Sequence, residues 1–65
     1  MLAEDILELL KDGQWHFINE ISTTLNKPEE PIQEILRFYK KFDFIEFDAA
    51  KGKVQIDPKI KELLL

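Results

Sequence analysis

The sequence predicts a single α+β domain, mostly α-helical, in which three helices precede a β-hairpin and a short fourth helix closes the chain. Two observations lead to this fold class. Apolar residues recur every three or four positions over residues 2–41, which is the spacing of amphipathic helices. The period then shortens to two over residues 44–57, as expected of strands. A chain of 65 residues is long enough for one domain, so residues 1–65 are assigned to it.

The first helix is predicted over Leu2–Lys11, where apolar residues fill one face and carboxylates the other. Gly13 follows at the position where a left-handed residue ends many helices. A strand of one or two residues is expected within residues 14–17. A two-turn second helix then begins at Ile18 and ends at Asn26, a residue type that tolerates left-handed dihedral angles.

The third helix opens near Pro28 and runs to about Lys41, with Pro31 inside the first turn, where an N–H has no helical partner. Its apolar stripe contains Ile32, Ile35, Leu36, Tyr39 and Phe42. Strands are predicted over residues 44–48 and 53–57, joined by a loop at residues 49–52. Asp57 followed by Pro58 is a strong start signal for the fourth helix.

Composition excludes several classes of function. The sequence has no cysteine, which removes disulfides, zinc ribbons and thiol chemistry. Its two glycines form no phosphate-binding loop and no nucleophile is paired with a base, so neither an enzyme nor a cofactor, metal or small-molecule site is expected. No apolar run is long enough for a membrane span, and the acidic start of the chain is unlike a signal peptide. We therefore expect a cytoplasmic protein.

Three segments resemble one family of domains. They are GQWHFINEI (residues 13–21), IQEILRFYKKFDFI (residues 32–45) and DAAKGKVQID (residues 48–57). They resemble the entry to the second helix, the third helix and the wing of winged helix-turn-helix transcription regulators, most closely the small archaeal-type proteins, over nearly the whole chain. The resemblance implies a three-helix bundle with a two- to three-stranded β-wing and a C-terminal helix. It implies either DNA binding in transcription regulation, as a dimer or within a complex, or protein–protein interaction without DNA.

Charge makes the choice between these two functions difficult. Residues 1–34 hold two basic and eight acidic residues, whereas residues 35–65 hold seven basic and five acidic. The third helix, which would read bases, begins with Glu29, Glu30 and Glu34, a liability beside a polyanion and also the charge order that the helix dipole favours. Only the basic residues of the second half could attract double-stranded DNA, and a monomer would bind it weakly. The candidate DNA contacts are Gln33, Arg37, Lys40, Lys41, Lys51 and Lys53.

The C-terminal residues offer a candidate protein contact. They are Ile60, Leu63, Leu64 and Leu65. A short terminal helix either packs these side chains along the first helix or presents them as the seam of a homodimer, since exposed apolar patches usually mark partner sites.

Other residues receive structural interpretations. His16 is expected to be partly buried and structural, because no cysteine or second histidine could complete a site. Phe38 lies one step off the stripe of the third helix and is expected to be partly exposed. The aromatic residues expected in the core are Trp15, Phe17, Phe42 and Phe44.

Overall fold

The protein is described here from a computed structural model that covers residues 1–64. Leu65 and the side chain of Leu64 lie outside it. The described residues form four helices and three strands, in the order α1 (Leu2–Leu10), β1 (His16–Phe17), α2 (Ile18–Leu25), α3 (Glu29–Lys41), β2 (Ile45–Asp48), β3 (Lys53–Ile56) and α4 (Pro58–Leu64). The predicted α+β, mostly helical class is confirmed, with element ends within one or two residues of those predicted.

Residues with left-handed backbone follow each of the first three helices, as the sequence predicts for Gly13 and Asn26. Gly13 has φ 75°, Asn26 has φ 53° and Asp43 has φ 59°. The N–H of Asn26 turns back to the Ser22 and Thr23 carbonyls, which ends α2. The N–H of Asp43 donates to the Lys40 carbonyl at 3.0 Å and ends α3 in the same way. An aspartate adopts this backbone conformation there in place of the more usual glycine, at a modest energetic cost.

The start of α2 is bonded to the hairpin rather than capped by a side chain. Phe17 precedes the helix and provides no side-chain cap. Instead, the N–H of Ile18 donates to the Gly52 carbonyl at 3.0 Å, which satisfies a helix-end donor and fastens the β2–β3 loop beside the helix. At α4 the predicted cap is present, because the Asp57 carboxylate accepts a hydrogen bond of 2.8 Å from the N–H of Lys59.

The three strands form one antiparallel sheet in the order β1-β3-β2. His16 pairs with Val54, and Phe17 pairs with Lys53. On the other side of β3, Phe47 also pairs with Val54. Since side chains alternate along strands, His16, Phe47 and Val54 share the inner face, and Phe17 and Lys53 share the outer one.

The core lies where the helices meet the inner face of the sheet. Its buried members are Ile6, Leu10, Ile18, Ile21, Ile32, Leu36, Tyr39, Ile45, Val54 and Ile56. The Tyr39 hydroxyl donates a hydrogen bond of 2.7 Å to the Ala3 carbonyl, which joins the last turns of α3 to the start of α1. The core is therefore built mainly from branched aliphatic residues, with one tyrosine whose polar end is satisfied.

The prediction that most of the aromatic residues are in the core is wrong. Trp15, Phe17 and Phe42 are 42%, 49% and 52% exposed. Because His16 points inward from β1, its two neighbours must point outward, and Phe42 follows the last turn of α3 instead of continuing its buried stripe. Phe44 is partly buried against the core, as expected. The prediction that Phe38 is exposed is confirmed.

Gly13→Ala is expected to lower the free energy of unfolding by about 1–2 kcal/mol, because alanine is strained at positive φ. Its Cβ would also meet the side chain of Lys61, whose ammonium lies near the end of α1. Gly52→Ala is the matched control, since Gly52 has φ 67° but open space around it. Urea titration should show a loss in both variants, and any excess at Gly13 measures the displacement of Lys61. No loss in either variant would contradict the left-handed backbone.

Candidate nucleic-acid interface

A groove separates the exposed side of α3 from the β2–β3 hairpin. Gln33, Arg37 and Lys40 of α3 line one wall, since they are spaced three and four residues apart and share a helix face. Phe47, Ala49 and Gly52 of the hairpin line the other wall, and Ile18 completes the lining. The groove has a volume of about 560 Å³ and is open to solvent.

A smaller groove adjoins the first one at the beginning of α3. Its volume is about 380 Å³, and Gln33 and Gly52 line both grooves. Lys51 and Glu29 add one charge of each sign to this second groove. The pair of grooves therefore forms one surface along α3, mixed in charge near the start of the helix and basic toward its end.

Four of the six predicted DNA contacts line the grooves, and two do not. Gln33, Arg37 and Lys40 line the larger groove, and Lys51 lines the smaller one. Lys41 is exposed on α3 and lines neither. Lys53 is on the outer face of the sheet, where its ammonium lies 6.0 Å from the Trp15 ring centroid and 5.6 Å from that of Phe17. These distances indicate cation–π contacts with both rings.

The cations of the larger groove are not neutralised by neighbouring side chains. Within residues 1–63, neither Arg37 nor Lys40 forms an ion pair. The carboxylates of the first turns of α3 are exposed, with Glu29 and Glu30 in the first turn, and Lys40 and Lys41 occupy the last turn. This order complements the helix dipole and leaves the last two turns as the positive part of the surface.

His16 is held by two carboxylates. The side chain is buried, with its Nδ1 at 2.8 Å from Glu20 and its Nε2 at 3.0 Å from Asp12. Burial by itself lowers the pKa of His16, but the hydrogen bonds and charges of Asp12 and Glu20 outweigh it and raise the pKa above the ordinary value. Both ring nitrogens face acceptors, so the arrangement favours the doubly protonated ring. The burial predicted for His16 is confirmed.

The outer face of the sheet carries the exposed Trp15 and Phe17 and the partly buried Lys53, a cluster that the sequence interpretation missed. The sequence signal that could have located this cluster is the alternation of side chains between the two faces of a strand. If the histidine of a two-residue strand points inward, the residues on either side of it point outward. Hydrophobicity alone favours the opposite arrangement.

Two of the four predicted protein contacts, Ile60 and Leu63, have side chains that the structure describes. Ile60 is partly buried and packs against the core. Leu63 is 80% exposed. The predicted contacts at the Leu64 side chain and at Leu65 lie outside the described residues.

None of the helices within the described residues is long and apolar enough to cross a membrane. Among residues 1–64, no group of three or more histidine, aspartate or glutamate side chains is placed to hold a metal ion. Comparison with family models, with curated proteins and with solved structures finds no match to this chain.

Proposed function

We propose that this chain is a winged-helix domain that binds double-stranded DNA along α3 and the β2–β3 hairpin, and that it acts as a transcription regulator in a dimer or a larger complex. The observation that carries the proposal is the larger groove, in which Gln33, Arg37 and Lys40 face the hairpin across open space. The helix order and the small sheet are compatible with this fold. Arginine and lysine would contact phosphates, and Gln33 is of the residue type that pairs with adenine.

The contact set is narrower than the sequence predicted. Arg37, Lys40 and Lys51 are the cations that line the two grooves, and Lys41 is an exposed neighbour. Lys53 contacts the Trp15 and Phe17 rings and lines neither groove, so we leave it out of the groove set. The proposal includes no catalytic step, cofactor or small-molecule substrate.

The test is a titration of fluorescently labelled duplex DNA, read by anisotropy over a series of salt concentrations. The wild type should bind at low salt and lose affinity steeply between about 50 and 200 mM salt, as phosphate contacts release counterions. Arg37→Ala with Lys40→Ala should weaken binding at least about tenfold and reduce the salt slope by about two.

The control removes two exposed lysines that line neither groove. Lys11 is near the end of α1 and Lys59 is in α4, so Lys11→Ala with Lys59→Ala removes the same charge. This variant should bind much as the wild type does. An equal loss of DNA affinity in both double variants would mean that binding depends on net charge and not on the groove residues. A wild type that does not bind DNA at low salt would contradict the proposal.

The second candidate function is protein docking without DNA. It is favoured by the exposed Glu29, Glu30 and Glu34 at the start of α3, which would meet phosphates unfavourably. Replacing all three by glutamine distinguishes the candidates. The variant should bind DNA more tightly if the helix lies against the duplex, and unchanged binding would place the helix away from it.

A further inference from the structure

A second exposed surface of α3 lies away from the grooves and carries two aromatic rings. Phe38 is 57% exposed and Phe42 is 52% exposed, and their ring centroids are 5.0 Å apart in an edge-on arrangement. The Phe42 ring lies 6.0 Å from that of Phe44, which lies 6.1 Å from the buried Tyr39 ring. We name Phe38 and Phe42 the aromatic patch. Ring contacts through Phe44 and Tyr39 connect this patch to the core.

The aromatic patch has a basic edge and an acidic edge. Arg37 and Lys41 are four residues apart and form the row beside it on one side of α3. On the other side is Tyr39, whose hydroxyl bonds to the start of α1. Glu4 follows Ala3 directly in α1 and is exposed, so a carboxylate lies close to this edge. Glu34 precedes the basic row by one turn, so the positive charge is confined to the end of α3.

We propose that the aromatic patch is the interface of a homodimer, occupied by the same patch of a second copy of this chain. A two-fold axis parallel to α3 in the interface lays the acidic edge of one copy over the basic edge of the other. The four rings of the two copies then lie in the middle, away from water. Aromatic side chains with arginine at their margin are the composition that dominates binding at protein interfaces.

This dimer would supply the second copy for the dimeric form of the proposed function, and only its biological use rests on that function. Arg37 borders both the aromatic patch and the larger groove, so the two surfaces adjoin at that residue, whereas Phe38, Phe42 and Lys41 line neither groove. The interface is separate from the seam of terminal leucines that the sequence suggests. Its test uses no DNA, so the failure of one proposal is distinguishable from the failure of the other.

Sedimentation of the whole chain over a range of concentrations tests the interface. The wild type should dimerise, and Phe38→Ser should raise the dimer dissociation constant at least about tenfold, as expected at the centre of an interface. Phe17→Ser is the matched control, because Phe17 is similarly exposed but lies on the sheet. A monomeric wild type at about 1 mM chain overturns the proposal. A dimer that dissociates with Leu63→Ser and not with Phe38→Ser overturns it in favour of the terminal helix.

A charge exchange tests the orientation without touching the aromatic rings. Lys41→Glu and Glu4→Lys should each raise the dissociation constant at least about threefold, since each places like charges opposite one another. The double variant restores opposite charges and should return to within about threefold of the wild type. Both exchanged residues are exposed, so the fold should be retained, which circular dichroism checks. A double variant weaker than either single variant overturns the proposed axis.

Discussion

Leu36→Ala is expected to lower the free energy of unfolding by about 2–5 kcal/mol, because it removes a fully buried side chain and leaves a cavity. Leu36 is in the middle of α3, the helix that contacts α1, α2 and β2. A chain of 65 residues has a total stability of about 3–10 kcal/mol at the usual value per residue. A single substitution of this kind therefore removes a large share of the stability, and we expect a melting temperature lower by at least about 10 °C.

The chain contains its own control for this experiment. Leu63→Ala deletes the same atoms from a side chain that is 80% exposed. Surface substitutions of this kind usually change stability by about 0.5 kcal/mol or less. Thermal denaturation followed by circular dichroism should therefore separate the two variants clearly. Equal melting temperatures for Leu36→Ala and Leu63→Ala would contradict the position of Leu36 in the core.

The helices and their ends were predictable because their signals are local. A left-handed residue follows each of the first three helices, namely Gly13, Asn26 and Asp43, and Asp57 starts the fourth. Each acts through its own backbone or over two or three residues, which is the range that a sequence interpretation can see. The apolar period likewise identified most of the core, since it reports one face of each helix.

The faces of the sheet were not predictable in the same way. Hydrophobicity ranks Trp15 and Phe17 above His16 as core residues, yet His16 takes the inward position of β1. The imidazole can be buried because Asp12 and Glu20 bond to both of its nitrogens. Asp12 precedes His16 by four residues and Glu20 follows it by four, but the three residues do not share one helix or one strand. Neither helical nor strand periodicity therefore indicates these contacts.

The candidate interface depends on contacts between distant residues. Gln33 and Gly52 line the same grooves because the hairpin is fastened to α2 through the hydrogen bond from Ile18 to Gly52. Sequence spacing groups Gln33, Arg37 and Lys41 in one stripe of α3, but Lys40 lines the larger groove with Gln33 and Arg37, and Lys41 lines neither groove. Spacing could not place Lys53, because strand register determines which face of the hairpin a residue occupies.

His16→Gln is expected to lower the free energy of unfolding by about 1.5–3 kcal/mol near pH 6, the range for hydrogen bonds to charged groups, and by much less at alkaline pH. The ordinary pKa of histidine is about 6.5, and that of His16 in the folded protein is raised. The folded state therefore binds the proton more tightly than the unfolded state. The resulting stabilisation is complete below a pH of about 6.5 and is lost as the pH rises through the pKa of the folded protein.

Two measurements on the wild type and on His16→Gln check this prediction. The sequence has one histidine, so its imidazole signals in an NMR titration report the pKa of His16 without ambiguity. Urea unfolding between about pH 5.5 and 8.5 should show a stability difference between the two proteins that shrinks as the pH rises. Other titrating groups are common to both proteins and cancel in this difference. A difference that grows with pH, or an imidazole pKa below the ordinary value, would mean that burial prevails over the two carboxylates.

Substitutions of Asp12 and Glu20 test whether these two carboxylates raise the pKa of His16. The backbone N–H of Gln14 and then His16 lower the pKa of Asp12, so its stabilisation is present above about pH 3.9 and lost as the pH falls through that lowered pKa. Asp12→Asn and Glu20→Gln each leave the imidazole one carboxylate, and each should lower the pKa of His16 toward its ordinary value. Glu8→Gln is the matched control, because the Glu8 carboxylate pairs with Lys11 at 3.1 Å and not with the imidazole. A pKa of His16 that falls equally in all three variants would assign the upward shift to the net charge of the chain instead of to these two contacts.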